Sequence, residues 1–462
     1  MNIKHLLSNI TTTDHSFEVA GLSLNSKTLK KGDIFVAIQG EKNHGSEYID
    51  NAIENGCVAV LIEGKEVDCA VPTIEIDNLR AKLSTLAENF YTHAKKVDLI
   101  AVTGTNGKTS VSHFISQLLS SLKIKNGVIG TLGISNSNKE SINTTPDIFT
   151  IYSTLHQYSE QGFEIAIIEA SSHALIQNRL EGLSFIQGIF TNLTQDHLDY
   201  HQTMKNYRDA KGKLFKSALT KKTIINQDDD NHDYFLNIAS DKDPITFSIS
   251  DLDFYKSSEK GFICQLNNFV FELPLIGNFN LSNALAAYNS LSYMGHSDES
   301  LMPLLAKLSP PPGRMQQVQK SNIWIDYAHT PDALFNALAT FKVHYPEFKI
   351  RVLFGCGGDR DKTKRLLMGK IASKNADSII LTNDNPRSEN PQKIIDDILD
   401  GIKVENDVQI ILDRKHAITT AIKTLGEDEV LLIAGKGHEK TQTIGSQVYQ
   451  FSDIEVALDA FI

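Results

Sequence analysis

A short polar segment in the first quarter of the chain carries the residue types of a phosphate-binding loop. The apolar run Leu99–Val102 is followed by Thr103-Gly-Thr-Asn-Gly-Lys-Thr109 and then by residues with helical spacing. This order predicts a strand, a tight turn and a helix, whose backbone N–H groups can bind phosphate. Lys108 would reach the β- and γ-phosphates, and the Thr109 hydroxyl would bind Mg²⁺. The sequence therefore predicts that the chain binds a nucleoside triphosphate.

Other polar residues lie at the ends of predicted elements. Glu169 ends an apolar, strand-like run, where a carboxylate can bind Mg²⁺; the alternative is a surface acid beside a helix start. His197 lies between two aspartates in a loop after another apolar run, so a metal ligand and a structural histidine both remain open. Lys211 lies on a predicted helix with an apolar face, and its context alone favours an ordinary solvated lysine. Asn280 and Asn283 lie at a predicted capped helix start, from which their amides could hydrogen-bond a purine edge.

The composition limits the class of protein. The chain has 462 residues and a formal net charge of −11, which indicates two or three globular domains and argues against a nucleic-acid-binding surface. No apolar run is long enough to span a bilayer, and the N-terminus lacks a signal-peptide pattern. We therefore expect a cytoplasmic protein, with a monomer as the working expectation. No C-x-x-C pair occurs, so neither a zinc site nor a disulfide framework is expected from Cys57, Cys69, Cys264 and Cys356.

Alternating apolar runs and helical stretches divide the chain into three α/β segments. Residues 1–95 predict a small α/β domain. Residues 96–313 begin with the loop strand and predict a doubly wound, mostly parallel sheet. The segment Pro310–Gly313 forces extended chain and marks a boundary. Residues 314–462 repeat the alternation and predict a Rossmann-like α/β domain.

In order and spacing, these polar segments resemble those of the Mur ligase family, the ATP-dependent amide-forming enzymes of peptidoglycan precursor synthesis. Val102 replaces the first glycine of the general phosphate-loop pattern, and this departure is typical of the version that these ligases use. Folylpolyglutamate synthases share the loop and some segments but lack an N-terminal domain of this type. The resemblance covers nearly the whole chain and rests on Gly104-Thr-Asn-Gly-Lys-Thr109, Glu169-Ala-Ser-Ser-His173, Asn192-Leu-Thr-Gln-Asp-His-Leu-Asp-Tyr-His201, Asn280-Leu-Ser-Asn283, Pro312-Gly-Arg314 and Asp326-Tyr-Ala-His-Thr-Pro331.

The resemblance implies an ATP site that uses Mg²⁺. Thr109 and Glu169 would hold one Mg²⁺ and His197 a second, and Lys211 would be N-carboxylated. Such a carbamate turns a cation into an anion that supports the second metal. The resemblance thus replaces the interpretation of Lys211 as an ordinary solvated lysine. The catalytic set implied is Lys108, His197, Lys211 and Arg314. The ATP-binding set implied is Gly104, Thr105, Asn106, Gly107, Lys108, Thr109, Ser110, Asn280 and Asn283 near the adenine, Arg314 near the transferred phosphate and Asp326 near the ribose.

The resemblance also implies a site for a uridine-linked muramoyl dipeptide. An arginine suits such a substrate, because a guanidinium binds a diphosphate or a carboxylate with two parallel hydrogen bonds. The residues implied for the uridine diphosphate are Leu24, Ser26, Glu41, Lys42 and Asn43, and those implied for the muramoyl dipeptide are Asn143, Thr144, Thr145, Ser171, Gln177 and Arg179.

The C-terminal segment indicates which amino acid is added. In the family, Asp-Asn-Pro-Arg marks members that add meso-diaminopimelate, and Asp384-Asn-Pro-Arg387 matches it. The physical chemistry agrees, since a guanidinium pairs with the second carboxylate of diaminopimelate and repels the terminal ammonium of lysine. Glu439 would bind the ammonium at the same end. The residues implied for diaminopimelate are Arg360, Asp384, Asn385, Pro386, Arg387, Gly435 and Glu439.

The reaction implied has two steps, in which a substrate carboxylate takes the γ-phosphate of ATP and the amine of diaminopimelate then displaces phosphate. Three substrates must converge, so domain closure is expected. Three alternatives remain: a lysine-adding ligase, a ligase of the folylpolyglutamate synthase type, and a non-enzymatic regulator that binds ATP or a UDP-sugar. The last predicts losses at Lys108, Glu169, His197 or Lys211, and all four residue types are present.

Overall fold

The structure is a computed structural model that describes residues 1–40, 43–64, 67–137, 143–216 and 219–461. The expectations placed on Glu41 and Lys42 lie outside the described residues. The chain forms two compact units. The first consists of Met1–Ala101, Ile124–Gln187 and Ser217–Lys221, and the second of Val102–Lys123, Gly188–Lys216 and Lys222–Ile462.

The N-terminal part is a parallel four-stranded sheet with short helices, which agrees with the small α/β fold expected there. The strands pair in the order β1-β2-β3-β4, and Phe35, Val60 and Ile62 contribute to a core closed by Ile49 and Ala52 of a helix. The elements are α1 (Ile3–Leu6), β1 (Gly21–Ser23), β2 (Asp33–Ala37), α2 (Ile49–Glu54), β3 (Ala59–Ile62), β4 (Thr73–Glu75) and α3 (Leu83–Phe90), with 3-10 turns at Gly45–Tyr48, Leu79–Lys82 and Ala94–Lys96.

A seven-stranded sheet follows, with strand order β11-β10-β9-β5-β8-β6-β7. The β6–β8 and β10–β11 pairs are parallel, whereas β7 is antiparallel to β6. Its elements are β5 (Asp98–Thr103), α4 (Lys108–Ser121), β6 (Asn126–Gly130), β7 (Gly133–Ile134), α5 (Ile148–Glu160), β8 (Ile165–Glu169), α6 (Ser172–Ile176), β9 (Phe185–Phe190), α7 (Leu198–His201), α8 (Met204–Lys216), β10 (Thr220–Asn226), α9 (His232–Ile238) and β11 (Ile245–Phe247), with 3-10 turns at Ser240–Lys242 and Ile249–Asp251.

An antiparallel three-stranded sheet comes next and is an addition to the expected parallel pattern. Its strands alternate inward and outward side chains: Phe262 and Cys264 of one strand are buried and Ile263 between them is exposed. This period of two is typical of a sheet with one solvated face. The elements are β12 (Phe254–Ser258), β13 (Gly261–Leu266), β14 (Phe269–Leu273), α10 (Asn278–Tyr293) and α11 (Asp298–Leu305).

The C-terminal part is a doubly wound sheet of order β15-β16-β20-β17-β18-β19, in which β15 alone is antiparallel to its neighbour. Alternate residues enter two separate cores, with Val352 and Leu432 on one face and Leu353 and Leu431 on the other. Burial on both faces explains the continuous apolar runs of these strands and confirms the predicted α/β class. The elements are β15 (Gln316–Gln317), β16 (Ile323–Asp326), α12 (Pro331–His344), β17 (Lys349–Phe354), α13 (Thr363–Asn375), β18 (Ser378–Leu381), α14 (Pro391–Leu399), β19 (Asp407–Ile410), α15 (Arg414–Lys423), β20 (Glu429–Ala434), β21 (Thr441–Ile444), β22 (Gln447–Gln450) and α16 (Asp453–Asp459).

Candidate active site

The phosphate loop is a strand–turn–helix unit, as predicted. β5 ends at Thr103 and α4 begins at Lys108. Two loop N–H groups are used inside the protein, because Thr105 donates to the Asn192 carbonyl at 2.9 Å and Asn106 donates to the Asn192 side chain at 2.9 Å. These two N–H groups are therefore not available to phosphate, so the loop offers fewer backbone donors than the sequence predicted. The first turn of α4 directly follows the loop, where a helix N-terminus favours an anion.

Gly107 shows why the loop needs glycine. Its φ is +84°, and a Cβ built on it would lie 2.5 Å from Asn283 Oδ1. Asn283 thus packs directly against the loop, as a nucleotide-binding residue would. Asn280 is buried on the same helix and donates to the Ile276 carbonyl at 3.0 Å. The helix α10 begins at Asn278 with Gly277 as its N-cap residue, as the predicted helix start requires, and this cap is made without a side-chain hydrogen bond.

Two lysines meet at one carbonyl oxygen of the loop. Lys108 Nζ donates to the carbonyls of Gly104 at 2.7 Å and Thr105 at 2.8 Å, and Lys211 Nζ donates to that of Gly104 at 2.7 Å. The lysine predicted to reach the phosphates and the lysine predicted to be carboxylated are therefore neighbours, although 103 positions separate them in the sequence.

Lys211 is buried, with 1% of its surface exposed, so the solvated reading from its residue context is wrong. The apolar face of α8 lies inward and carries Lys211 with it; its Nζ lies 4.4 Å from the centre of the Tyr207 ring. Burial, followed by the positive charge of Lys108, lowers the pKa of Lys211 well below its ordinary value, while Asp196 acts in the opposite direction. A neutral amine is the form that can react with CO₂, which fits the carboxylation that the resemblance implies.

His197 and Asp196 form a pair in the loop before α7. His197 Nε2 lies 3.3 Å from Asp196 Oδ2, and the histidine has a left-handed φ of +53°. Burial raises the pKa of Asp196, but the charges of His197, His329 and Lys364 outweigh it, so the pKa is lowered overall. The His197 side chain is 44% exposed, and its role as a metal ligand stays a prediction.

Arg314 lies near the helix that follows the loop, and Asp326 lies near Arg314. Arg314 Nη2 donates to Thr109 Oγ1 at 3.5 Å, and its guanidinium lies 4.3 Å from the centre of the Tyr327 ring. Among the described residues, its buried Nε has no hydrogen-bond partner, which fits a site for an anionic phosphoryl group. Asp326 accepts from the Met315 N–H at 2.7 Å, and burial raises its pKa although Arg314 opposes this.

A second cluster, in the first compact unit, surrounds Glu169 at the end of β8. This carboxylate is fully buried and accepts from Thr131 twice, from the N–H at 3.0 Å and from the hydroxyl at 2.8 Å. Its oxygens have the chemistry that Mg²⁺ prefers. The Thr131 hydroxyl also lies 3.2 Å from the Thr144 hydroxyl, within hydrogen-bond distance. Sequence reasoning missed Thr131, although it directly follows the strand β6, in the same way that polar residues follow the other strands.

The residues predicted to contact the dipeptide lie around this carboxylate. The Thr145 hydroxyl donates to the Glu169 carbonyl at 2.6 Å and lies 3.0 Å from the Ser171 hydroxyl. Arg179 donates to the Thr145 carbonyl at 2.6 Å and to the Gln177 side-chain oxygen at 2.6 and 2.9 Å. The structure thus brings together Thr144, Thr145, Ser171, Gln177 and Arg179, while Asn143 is exposed.

The predicted uridine-contacting residues lie at the edge of the N-terminal sheet. Ser26 is buried, its carbonyl accepts from the Asn55 side chain at 3.0 Å, and Leu24 is half-buried just after β1. The Asn43 side chain donates to Glu47 and to the Tyr48 hydroxyl, both at 3.0 Å. In the described ranges, no hydrogen bond joins Asn43, Glu47 or Tyr48 to the turn at Leu24 and Ser26.

The residues predicted to bind diaminopimelate form a third cluster, drawn from three chain segments. Asn385 Nδ2 donates to Glu439 Oε2 at 3.0 Å, and Arg387 Nη1 donates to the Gly358 carbonyl at 2.8 Å. A Cβ at Gly357 would lie 2.9 Å from Arg387 Nη1 and 3.7 Å from Arg360 Cγ, so both arginines flank this glycine. Arg360 is exposed, and Pro386 precedes Arg387, whose φ is +51°.

Gly435 and Asp384 approach each other closely in this cluster. Gly435 has a φ of +115°, and a Cβ on it would lie 2.8 Å from Asp384 Oδ2. Sequence reasoning missed the ion pair beneath them. Arg414 and Asp453, both fully buried, pair through two 2.7 Å hydrogen bonds, and Arg414 also donates to the Ala434 carbonyl at 2.9 Å and the Asn383 carbonyl at 3.4 Å. Each carbonyl directly precedes one of the predicted binding segments. The buried pair thus fixes both.

One further group has the donor set of a metal site. His93, His156 and Glu160 place three ligand atoms within 4.8 Å of one another. Imidazole nitrogens suit Zn²⁺ better than Mg²⁺, so this group is not an alternative to the expected magnesium ligands. Separately, none of the helices in the described ranges has the length and apolar character required to cross a membrane.

Known proteins match almost the whole chain. Three family models match in succession: the Mur ligase family, catalytic domain, at residues 18–91, the Mur ligase middle domain at 102–291, and the Mur ligase, glutamate ligase domain, at 313–437. The UDP-N-acetylmuramoyl-L-alanyl-D-glutamate–2,6-diaminopimelate ligase of Haemophilus influenzae (strain PittEE) is 39% identical over 98% of both chains. The protein of that name from Rickettsia conorii is 40% identical over 97% of both chains.

The chain is also similar to solved structures. The structure of a UDP-N-acetylmuramoyl-L-alanyl-D-glutamate–2,6-diaminopimelate ligase matches with a TM-score of 0.68 and 33% identity, over 100% of this chain and 99% of that chain. The MurF ligase of Thermotoga maritima, solved with ADP, matches with a TM-score of 0.65 and 19% identity, over 96% and 97% of the two chains. A folylpolyglutamate synthase of Mycobacterium tuberculosis reaches 0.62 at 17% identity over 77% of this chain and 92% of that chain. The last two likenesses show a shared fold.

Proposed function

Because the chain belongs to the Mur ligase family, we propose that it joins meso-2,6-diaminopimelate to the D-glutamate γ-carboxylate of UDP-N-acetylmuramoyl-L-alanyl-D-glutamate, using ATP. The observation that carries the choice of amino acid is the cluster of Arg387, Asn385 and Glu439. Asn385 donates to Glu439 Oε2, and Arg387, two residues after Asn385, donates to the Gly358 carbonyl, so the cluster contains a guanidinium and a carboxylate for the two charges at the far end of diaminopimelate. The reaction belongs to peptidoglycan precursor synthesis. Since it consumes ATP and a UDP-linked substrate, we place it in the cytoplasm, with a monomer as the working unit.

The first step transfers a phosphoryl group. A carboxylate oxygen of the D-glutamate attacks the γ-phosphorus of ATP, the bond to the β-phosphate oxygen breaks, and an acyl phosphate and ADP form. The Lys108 ammonium and the Arg314 guanidinium stabilise the charge on the phosphoryl oxygens. Both groups lie at the phosphate loop, and the Arg314 Nε, which has no hydrogen-bond partner among the described residues, supports this role.

The second step forms the amide. The free amine of diaminopimelate attacks the acyl carbon, the C–O bond to phosphate breaks, and the nitrogen gives up a proton as inorganic phosphate leaves. Arg387 and Glu439 would hold the far end of the amino acid during this attack. Positioning of this kind raises the effective concentration of the amine.

Mg²⁺ fits the oxygen donors of this chain and, when bound, would neutralise phosphate charge. We propose Thr109 and Glu169 as ligands of one ion and His197 with carboxylated Lys211 as ligands of a second. The burial of Glu169 and Lys211 and the chemistry of their donors support this assignment. We also propose three domains at residues 1–95, 96–313 and 314–462, supported by the three successive family matches.

A ligation assay tests the function directly. Purified protein is incubated with ATP, Mg²⁺, the UDP-linked dipeptide and either diaminopimelate or lysine, and the tripeptide product is measured by mass. We expect product and stoichiometric ADP with diaminopimelate and at most a trace with lysine. Turnover with lysine alone would replace the proposal by a lysine-adding ligase, and turnover with neither would refute it.

A further inference from the structure

Lys436 is a fully buried lysine to which the sequence motifs assign no role. It lies in the loop between β20 and β21, next to Gly435 and three residues before Glu439, and 0% of its side chain is exposed. Its Nζ donates to Glu439 Oε2 at 2.7 Å and to Asn385 Oδ1 at 3.2 Å. The two residues that it contacts are both among those predicted to bind diaminopimelate.

These three side chains form a closed triangle. Asn385 Nδ2 donates to the same Glu439 oxygen, Oε2, at 3.0 Å, and the N–H of Thr443 fixes Asn385 Oδ1 at 2.9 Å. Within the described part of the chain, every hydrogen bond to the Glu439 carboxylate is made to Oε2. Oε1 is therefore left to accept a hydrogen bond from a ligand, and the Glu439 side chain is 30% exposed.

The charges of the surroundings make this ammonium necessary. Asp384, 8% exposed, adds a second carboxylate to the same cluster, and Arg414 is neutralised by Asp453. A half-buried carboxylate without a cationic partner is costly, and it also adopts many side-chain rotamers. The Lys436 ammonium both supplies the positive charge that pairs with the Glu439 carboxylate and restricts the rotamers of that side chain.

We propose that Lys436 is a positioning residue of the amino-acid site. Its ammonium holds Glu439 Oε2 and Asn385 Oδ1, so that Glu439 Oε1 points toward the ammonium at the far end of a dibasic, dicarboxylic amino acid such as diaminopimelate. This inference rests on the proposed function and extends it to a residue that acts through Glu439 rather than on the reacting atoms.

Steady-state kinetics of Lys436→Met separate positioning from a general structural role. We expect the KM for diaminopimelate to rise about tenfold, as for the loss of a hydrogen bond between charged groups, with kcat and the KM for ATP within twofold of wild type. Lys436→Gln keeps a hydrogen-bond donor without the charge, so its KM for diaminopimelate should lie between those of wild type and Lys436→Met. The matched control is Lys440→Met, an exposed lysine four residues along the same loop, which should leave all three constants unchanged.

A double-mutant cycle tests whether Lys436 acts through Glu439. In the Glu439→Gln background, we expect Lys436→Met to change the KM for diaminopimelate by less than twofold. Additive effects, or equal losses for ATP and diaminopimelate, overturn the inference. If Lys436→Met does not fold, as judged by circular dichroism, the selective rise in KM must appear in Lys436→Gln, and its absence there overturns the inference too. A wild-type protein that does not ligate diaminopimelate refutes the proposed function itself, which is a different result.

Discussion

Two buried lysines, in two regions of the second compact unit, are treated in opposite ways. Lys436, in the amino-acid cluster, has a carboxylate partner at 2.7 Å. Lys211, at the phosphate loop, donates to a carbonyl oxygen and faces Lys108, and its pKa is lowered well below the ordinary value by burial and then by that charge. The difference teaches that burial alone does not define a lysine's role. A paired ammonium can hold other side chains in place, whereas an ammonium without a carboxylate at hydrogen-bond distance is prepared to lose its proton and react.

The largest effect is expected at the phosphate loop. Lys108→Ala removes the cation that reaches the transferred phosphate, so we expect ATP-dependent phosphate release to fall on the order of 10³-fold, with the KM for diaminopimelate unchanged. A coupled phosphate assay measures both constants. A variant that keeps more than a tenth of wild-type turnover would contradict the role given to the loop.

Lys211→Ala tests the reactive lysine. We expect turnover to fall about 100-fold, the usual size for loss of a group that supports a metal ligand, and to recover in part when formate or acetate is added, because a small carboxylate can replace the carbamate. Lys213→Ala on the same helix is the control, since Lys213 is exposed. Equal losses in the two variants, or no recovery with carboxylate, would remove the basis for carboxylation.

Arg387→Ala tests the amino-acid cluster, in which the buried lysine is paired with a carboxylate. The guanidinium is expected to make a charge-assisted contact with the second carboxylate of diaminopimelate, so its loss should raise the KM for diaminopimelate about 10- to 100-fold and leave the KM for ATP near its wild-type value. Measuring both constants in one set of assays gives the ratio. Equal increases would show that Arg387 supports the fold rather than the choice of amino acid.

A smaller effect concerns His438, two residues after Lys436. Burial, followed by the positive charges of Arg314, His113 and Lys436, lowers the pKa of His438 to about 4. Between pH 6.5 and about 4 the unfolded chain therefore binds a proton that the folded chain does not, so this group lowers the free energy of unfolding as the pH falls through that window. In His438→Gln, urea unfolding should depend less steeply on pH from 6.5 to 4. Parallel curves for the two proteins would contradict a neutral His438.

The sequence was most informative where a function depends on consecutive residues. The phosphate loop is a local motif, so its strand, turn and helix could be predicted from residues 99–115, and alternating apolar runs indicated the α/β class. The antiparallel sheet of β12–β14 was missed because its strands are short and exposed on one face.

The amino-acid cluster shows the limit of such reasoning. It joins Asp384–Arg387, Gly435–Glu439 and the hairpin that begins at Thr441. Only the family resemblance grouped the first two segments around one ligand; nothing in the residue pattern itself indicates that the three segments touch. For Lys211 the local pattern favoured the wrong environment, since an amphipathic helix usually turns its lysines outward. Only the resemblance to a family indicated a role there, and the hydrogen bond to Gly104 gives its physical setting.

The close approach of Gly435 to Asp384 has a consequence for enzyme engineering. Any residue with a Cβ is strained at this position, because its φ is +115° and a Cβ would lie 2.8 Å from a carboxylate oxygen of Asp384. A library that randomises the loop to obtain ligases for unnatural amino acids should therefore keep Gly435 fixed. Diversity is better introduced at Arg360, which is exposed and lies beside the same cluster, where new side chains cost the fold little.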